Sequence, residues 1–535
     1  MIYQHHLKRF LNGSFNDVVR EMCVEVMDNM KQNFKMAIHS IGVVYCITVL
    51  LYQIFYLLIP FRQMIDVIGG TWISSVLAVL GILVLGIDLL TERLYSKIPY
   101  SKWLIVVLAI LCISSLVYIQ YGWAENAKVI IWQAVQMLVV YSCCYRLSKK
   151  TMYRVLNSVY MLVSIVFVVA VLVSLYQFFC QISYDVIDQG GIIRQGFQEG
   201  RLFGVFGSVY FSSLFMVLML AVAVYQIIHT TRLRIRVWNI FVAIPFAFYI
   251  ILSGTRSVLV ASTMAVFLLV TYLTWKRIQK RTVSRYSNKQ YIACLLVGIL
   301  SSGILLAVYS GVDFLLKEAI IVFSQPQETE GHSGIQEGNG HVEVSALPTP
   351  EVDESEIPVP EDNGKSSIAA LEREDMKLSN ISNGRFQIWH DYCDVLTRSL
   401  STVLLGITPG NYMTIIKENY PDIFIVSYIR DTYPQMYANG LIYDTHNGYL
   451  SVLVTTGVFG GLALGGFLIS CFRRVWCYFI KNNMYSSKVL LLFILIFIIL
   501  VSVFFDSDLF FKCTSTSVVF WLLSGVLMRE ITIEK

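Results

Sequence analysis

Apolar and polar residues fall along this chain in long blocks rather than in close alternation. Twelve apolar runs stand at about 37–59, 72–90, 103–120, 128–146, 155–180, 205–228, 237–252, 257–275, 290–312, 448–470, 488–505 and 514–528. Most approach the roughly 20 residues that an α-helix needs to cross a bilayer. The polar blocks between them are short, with one exception at 313–447. The pattern predicts an all-α polytopic membrane protein of about twelve transmembrane helices, with one large loop between the ninth and tenth. The seventh and eighth runs are short, and only Ser253-Gly254-Thr255-Arg256 parts them. That stretch reads either as a tight turn between two helices or as a break within one.

Residues 1–36 are polar, with Val18, Val19, Met22, Cys23, Val26, Met27 and Met30 at helical spacing. They are read as a cytoplasmic amphipathic segment lying on the bilayer, and not as a signal peptide, because the apolar run starts too late. Helices one to nine then occupy 37–312. The loop has two parts. From Glu318 to Asp362 there are eleven acidic residues, five prolines and no Lys or Arg. Such a composition buries no core, so 313–380 is expected to be a disordered acidic insert. Residues 381–447 are expected to fold. There Ser382 or Asn383 would cap a helix that sets Arg385, Trp389, Tyr392 and Leu396 along one face. Helices ten to twelve and a short tail fill 448–535.

Composition supports this division. The chain is 56% hydrophobic and 14% charged, with a mean hydropathy of +0.63. A soluble protein carries about 25% charge. The net charge of +5 does not point to nucleic acid, because the basic residues sit in short loops between the runs. Those loops set the orientation. With the N-terminus inside, most of the 41 Lys and Arg lie on the cytoplasmic side. Both termini are then cytoplasmic and the large loop faces outward, in a cell membrane protein. The eleven cysteines lie mostly in or beside apolar runs, and their spacing fits neither a zinc site nor a disulfide framework. No metal site or cofactor motif is found.

The candidate chemistry gathers on the outward side. Arg201 stands where a loop enters the sixth run, Arg256 at the start of the eighth, and Arg385 at the start of the loop helix. An arginine at the membrane edge is costly unless paired or functional. A guanidinium forks two N–H donors onto two oxygens, so the cluster suits a diphosphate. The competing reading is that each arginine snorkels to lipid phosphate. His446 follows Asp444 at the rim of the tenth run, where a neutral imidazole can accept a proton from a hydroxyl. Asn447 and Trp389 are supporting candidates. His390 is read as a surface or capping residue, and His332 and His341 as inert in the acidic tract. Ten aromatic residues from Phe386 to Tyr443 either stack on sugar rings or form a small core.

Several stretches together resemble one family. They are Ser253-Gly254-Thr255-Arg256-Ser257; Ser382-Asn383-Gly384-Arg385-Phe386-Gln387-Ile388-Trp389; Leu405-Gly406-Ile407-Thr408-Pro409-Gly410-Asn411-Tyr412; and His446-Asn447-Gly448-Tyr449-Leu450 with Gly457-Val458-Phe459-Gly460-Gly461. Their order and spacing, over roughly 190–470, resemble the O-antigen ligase and Wzy-type polysaccharide polymerase superfamily. The resemblance implies a GT-C-like, metal-independent, inverting glycosyltransferase without a cofactor. It implies a polyprenyl-diphosphate-linked glycan as donor and an acceptor on the outer face. Arg256 and Arg385, with Arg201 as a looser match, would hold the diphosphate, and His446 would activate or position the acceptor hydroxyl. Polymerisation of lipid-linked repeat units into a capsular or O-antigen-like polysaccharide is the leading expectation, with a flippase and a chain-length regulator as further partners. A ligase using another acceptor is the alternative. A flippase would show pseudo-symmetric halves, and none is evident. A sensor would need a cytoplasmic signalling domain. The acidic insert is not part of the family pattern.

Overall fold

The computed structural model describes residues 36–91, 94–188, 191–281, 288–324, 384–481 and 486–533. The N-terminal segment, most of the acidic insert and the Ser382 and Asn383 caps lie outside the described residues. Within them the chain is a helical bundle. Among the described residues nine helices are long and apolar enough to cross a membrane. They are α1 (Met36–Phe55), α3 (Trp72–Thr91), α6 (Lys149–Phe179), α7 (Val209–His229), α8 (Leu233–Leu252), α9 (Arg256–Gln279), α10 (Gln290–Glu318), α16 (Gly448–Lys481) and α17 (Ser487–Phe505). Between them lie α2 (Ile59–Ile68), α4 (Ser101–Val117) and α5 (Ala124–Ala134). The last helix is α18 (Ser515–Ile533).

The predicted third, fourth and twelfth runs are therefore also helical, but they differ from the nine. Helix α4 is short. Helix α5 passes into a π-helical segment, Val135–Val140, and then a 3-10 turn, Cys143–Arg146. The π segment carries Gln136 inward, where its amide donates to the Lys512 carbonyl at 3.1 Å and accepts from Ser517. Helix α18 includes Arg529 and Glu530. The stretch Ser253–Thr255 proves to be a tight turn between two helices, with Gly254 at φ 59°. The ninth helix runs to Ser324, so the start of the predicted insert, 313–324, is helix.

Charges buried at the other end of the bundle are paired. Arg146 is bidentate on Asp88, one contact being 2.8 Å. Arg529 donates to the carbonyls of Cys144 and of Leu147, the latter at 2.6 Å. Lys149 meets Glu530 at 2.7 Å. Removing one partner of a buried pair strands the other in a low dielectric, which costs about 3 kcal/mol or more. Asp88→Asn should therefore lower the melting temperature of the detergent-solubilised protein by several degrees, and Asp88→Glu by less.

The prediction of an all-α chain missed one feature. Strands β1 (Ser183–Asp188), β2 (Gly191–Gln198) and β3 (Arg201–Gly204) form an antiparallel sheet in that order. Glu199 and Gly200 join β2 to β3, both with positive φ, as a two-residue hairpin of the twisted kind requires. Phe197 seats the sheet on Phe178 of α6, ring centres 4.9 Å apart.

The large loop folds as five short helices, α11 (Arg385–Thr397), α12 (Leu400–Leu405), α13 (Tyr412–Asn419), α14 (Phe424–Thr432) and α15 (Pro434–Ala438). Ile388, Tyr392, Val395, Tyr412, Ile416 and Ile425 make its core. The Asp391 carboxylate accepts from the Ile425 amide at 2.9 Å, closing the start of α14. Two joints bolt the loop to the bundle. At the first, Ile407 N–H donates to the Val454 carbonyl at 2.7 Å. Gly457 leaves helical geometry there, at φ 62° and ψ −166°. A Cβ on Gly457 would meet Leu404 backbone at 2.3 Å, and one on Gly406 would meet Thr455 backbone at 2.4 Å. At the second, the Asn126 side-chain oxygen Oδ1 accepts from the Thr408 hydroxyl at 2.6 Å and from the Gly410 amide at 2.7 Å. The glycines and polar residues of these motifs thus serve docking.

Candidate active site

The sheet, the start of α7, the α8–α9 turn, α11 and the α14–α15 junction surround one cavity of about 1200 Å³. Arg201, Arg256 and Arg385, from three separate elements, all line it. Each is set in place by its own local structure. Arg201 lies on β3, donates through Nε to the Ser253 carbonyl at 3.0 Å, and rests over the Phe203 ring at 5.7 Å. Arg256 is exposed and is the first residue of α9. Arg385 is the first residue of α11, after Gly384 at φ 73°. Two helix N-termini therefore open on the cavity beside the guanidinium groups. Free N–H groups and the helix dipole make such ends favourable for anions.

Trp389 lines the same cavity. It is held edge-on between Phe386 and Phe504, each at 5.5 Å. The sheet adds Asp185 and Arg194, and Arg194 pairs with Glu199 at 2.7 Å. Neither was singled out from the sequence. The Glu199-Gly200 turn was the signal that could have revealed the strands bearing them.

His446 is not among the cavity's lining residues. It lies to the side, at the end of a row of rings that starts at the cavity wall. Tyr433 lines the cavity, Tyr428 is 6.2 Å from it, Tyr443 is 6.0 Å from Tyr428, and His446 is 6.4 Å from Tyr443. The aromatic stretch thus divides. Tyr392 and Tyr412 are core, whereas Tyr428 and Tyr433 are exposed.

His446 has a left-handed backbone, φ 46°, which is uncommon outside glycine. Its neighbours secure it. Asp444 accepts from the Thr445 amide at 2.6 Å, from Tyr412 at 2.9 Å, from Ser507 at 2.7 Å, and pairs with Lys512. Asn447 is the N-cap of α16, its side-chain oxygen accepting from the amides of Tyr449 and Leu450, each at 3.0 Å. Burial pushes the His446 imidazole below its ordinary value, with Arg385 and Lys512 acting in the same direction against Asp444 and Asp508. The surroundings therefore favour the neutral form of the ring. Burial raises the Asp444 carboxyl, but Lys512, Ser507 and Tyr412 outweigh it and bring the group to about 2. His390 is exposed, 3.7 Å from Asp391, a surface residue as the sequence suggested. His332 and His341 lie outside the described residues.

Residues 241–465 match the O-antigen ligase family. The match begins in α8 and ends in α16, and so takes in the Arg256 turn, Arg385 and His446. No curated protein matches the chain.

Proposed function

We propose that this chain, whose residues 241–465 match the O-antigen ligase family, transfers a glycan from a polyprenyl-diphosphate carrier to an acceptor hydroxyl on the outer face of the cell membrane. The convergence of Arg201, Arg256 and Arg385 on one cavity beside two helix N-termini is the observation that carries this reading. We further propose twelve crossings, formed by the nine long helices with α4, the α5 segment and α18, and both termini inside.

In the proposed reaction the diphosphate occupies the arginine cavity. The bond between the anomeric carbon and the diphosphate oxygen breaks, and the electron pair leaves with the oxygen. The growing charge is met by donors already in place, which is the arrangement that lowers such barriers. Metal-independent transfer follows from arginines taking that role. The acceptor glycan lies along Tyr433, Tyr428 and Tyr443 and presents its hydroxyl to His446. The imidazole takes the hydroxyl proton as the oxygen attacks from the face opposite the diphosphate, so configuration inverts. Arg385 joins the two halves, because it lines the cavity and also acts on His446.

His446→Ala should lower transfer about 10²-fold at matched membrane levels, as loss of a general base does. Because the imidazole sits below its ordinary value, wild-type activity should stay level from pH 8 through pH 7 and fall only on further acidification, as the base takes up a proton.

Polymerisation of lipid-linked repeat units is the leading activity. The family's own description favours ligation to a different acceptor as the second reading. Gel analysis of the lipid-linked pool in an Arg256→Ala strain separates them. Single repeat units accumulating while long polymer disappears supports a polymerase. Long lipid-linked chains accumulating supports a ligase. Normal surface polysaccharide with an unchanged pool would remove the proposal altogether.

A further inference from the structure

The segment between α17 and α18 carries a lysine that the sequence did not single out. Lys512 pairs with Asp444 from the loop and with Asp508 from its own segment. Asp444 is the same carboxylate that takes the Thr445 amide, and Thr445 in turn donates its hydroxyl to the Asn447 carbonyl at 3.1 Å. The backbone on both sides of His446 is thereby tied to Lys512 through one carboxylate. We propose that Lys512 is a positioning residue for the reaction read above, one that fixes the place and the charge state of the His446 imidazole through Asp444 and Asp508.

Four charges act on His446. Asp444 comes from its own loop, Arg385 from α11, and Asp508 and Lys512 from the segment before α18. Two are negative and two positive. Asp506 stands behind the same cluster, where burial and Asp508 hold its carboxyl well above the usual range. Burial works against the Lys512 charge, but Asp508 and Asp444 outweigh it and keep the ammonium protonated. The positive and negative groups around the imidazole thus oppose one another, and Lys512 acts against its protonation. Without Lys512 two carboxylates face one guanidinium, and a proton on His446 becomes favourable.

Diethyl pyrocarbonate tests this, because it modifies the neutral imidazole only. Its rate at His446 is read by mass spectrometry on the purified full-length protein across pH 5 to 8.5, with exposed His390 as internal reference. Lys512→Met should shift the His446 midpoint to higher pH, labelling roughly threefold slower than wild type near pH 6. Asp508→Asn should shift it to lower pH, and Lys512→Arg should leave it in place. His390 should not move in any of them. Opposite shifts from two neighbouring substitutions do not arise from a loosened fold. An unchanged midpoint in Lys512→Met, or a shift of the same sign in both variants, overturns the inference. Transfer measured on the same samples separates this from the functional reading. Labelling that shifts as stated while the acid limb of transfer stays put supports the hold of Lys512 on the imidazole and refutes His446 as the base.

Discussion

The double variant Arg256→Ala with Arg385→Ala should lose about 10⁴-fold or more of glycan transfer while remaining in the membrane at wild-type levels. One preorganised donor to a developing anion is typically worth 10²–10³ in rate. On the reading proposed above, Arg256 and Arg385 meet one diphosphate from separate helix ends, and the double variant removes both contributions at once. Arg256 is exposed and begins α9 without closing any part of the core. Its loss should cost little stability, so the kinetic effect is readable. Arg→Lys at either site should recover only part of the rate, because an ammonium cannot fork onto two oxygens. Turnover of a lipid-linked donor in membranes, normalised to immunoblot, gives the number. Wild-type turnover in the double variant would sever the link between this cavity and the leaving group.

The second large effect is on folding. Gly457→Ala should unseat the loop from α16 and cost about 3–5 kcal/mol. At φ 62° and ψ −166° a side chain is strained by about 1–3 kcal/mol. The added carbon would also stand 2.3 Å from Leu404 backbone, which forces main chain apart, and overpacking of that kind adds about 1–3 kcal/mol more. Gly406→Ala should act alike from the other side of the joint. Gly465→Ala, in the same helix but with nothing within 4 Å of the new carbon, is the control and should leave the protein unchanged. Limited proteolysis of the loop and thermal melting in detergent would report both. A Gly457→Ala protein with wild-type protease resistance would show that the joint has slack.

Much of the scaffold was legible because a bilayer enforces long apolar runs, and each predicted run falls on a helix. The three arginines were legible for a related reason. A charge at the membrane edge stands out against its surroundings, whatever its partner. The rest depends on contacts between residues distant in sequence. Gly406 and Gly410 stand out as part of a family-like stretch, and nothing near them indicates that their partners are Gly457 and Asn126. Asn447 read as a companion of the histidine, and its work is to cap a helix. The sheet escaped because strands of four to eight residues flanked by apolar runs carry weak patterns, and only the Glu199-Gly200 pair marks them. Lys512 escaped because a single lysine in a short polar segment looks like surface until Asp444 is brought beside it.

The two joints also bear on motion. A lid needs a hinge, a stretch of chain whose dihedrals can change without breaking contacts. The base of this loop has none, because at Gly406 and Gly410 its main chain lies directly against the main chain of the bundle, with no side chain between to yield. Opening by a swing of the whole loop is therefore closed off. What can move is the far rim, from Thr432 to Met436, where two short helices meet, Pro434 begins the second, and the residues from Thr432 to Gln435 are exposed. Those residues also line the cavity, so if glycan is the substrate proposed above, a disulfide or bulky label placed there should throttle turnover without disturbing the fold.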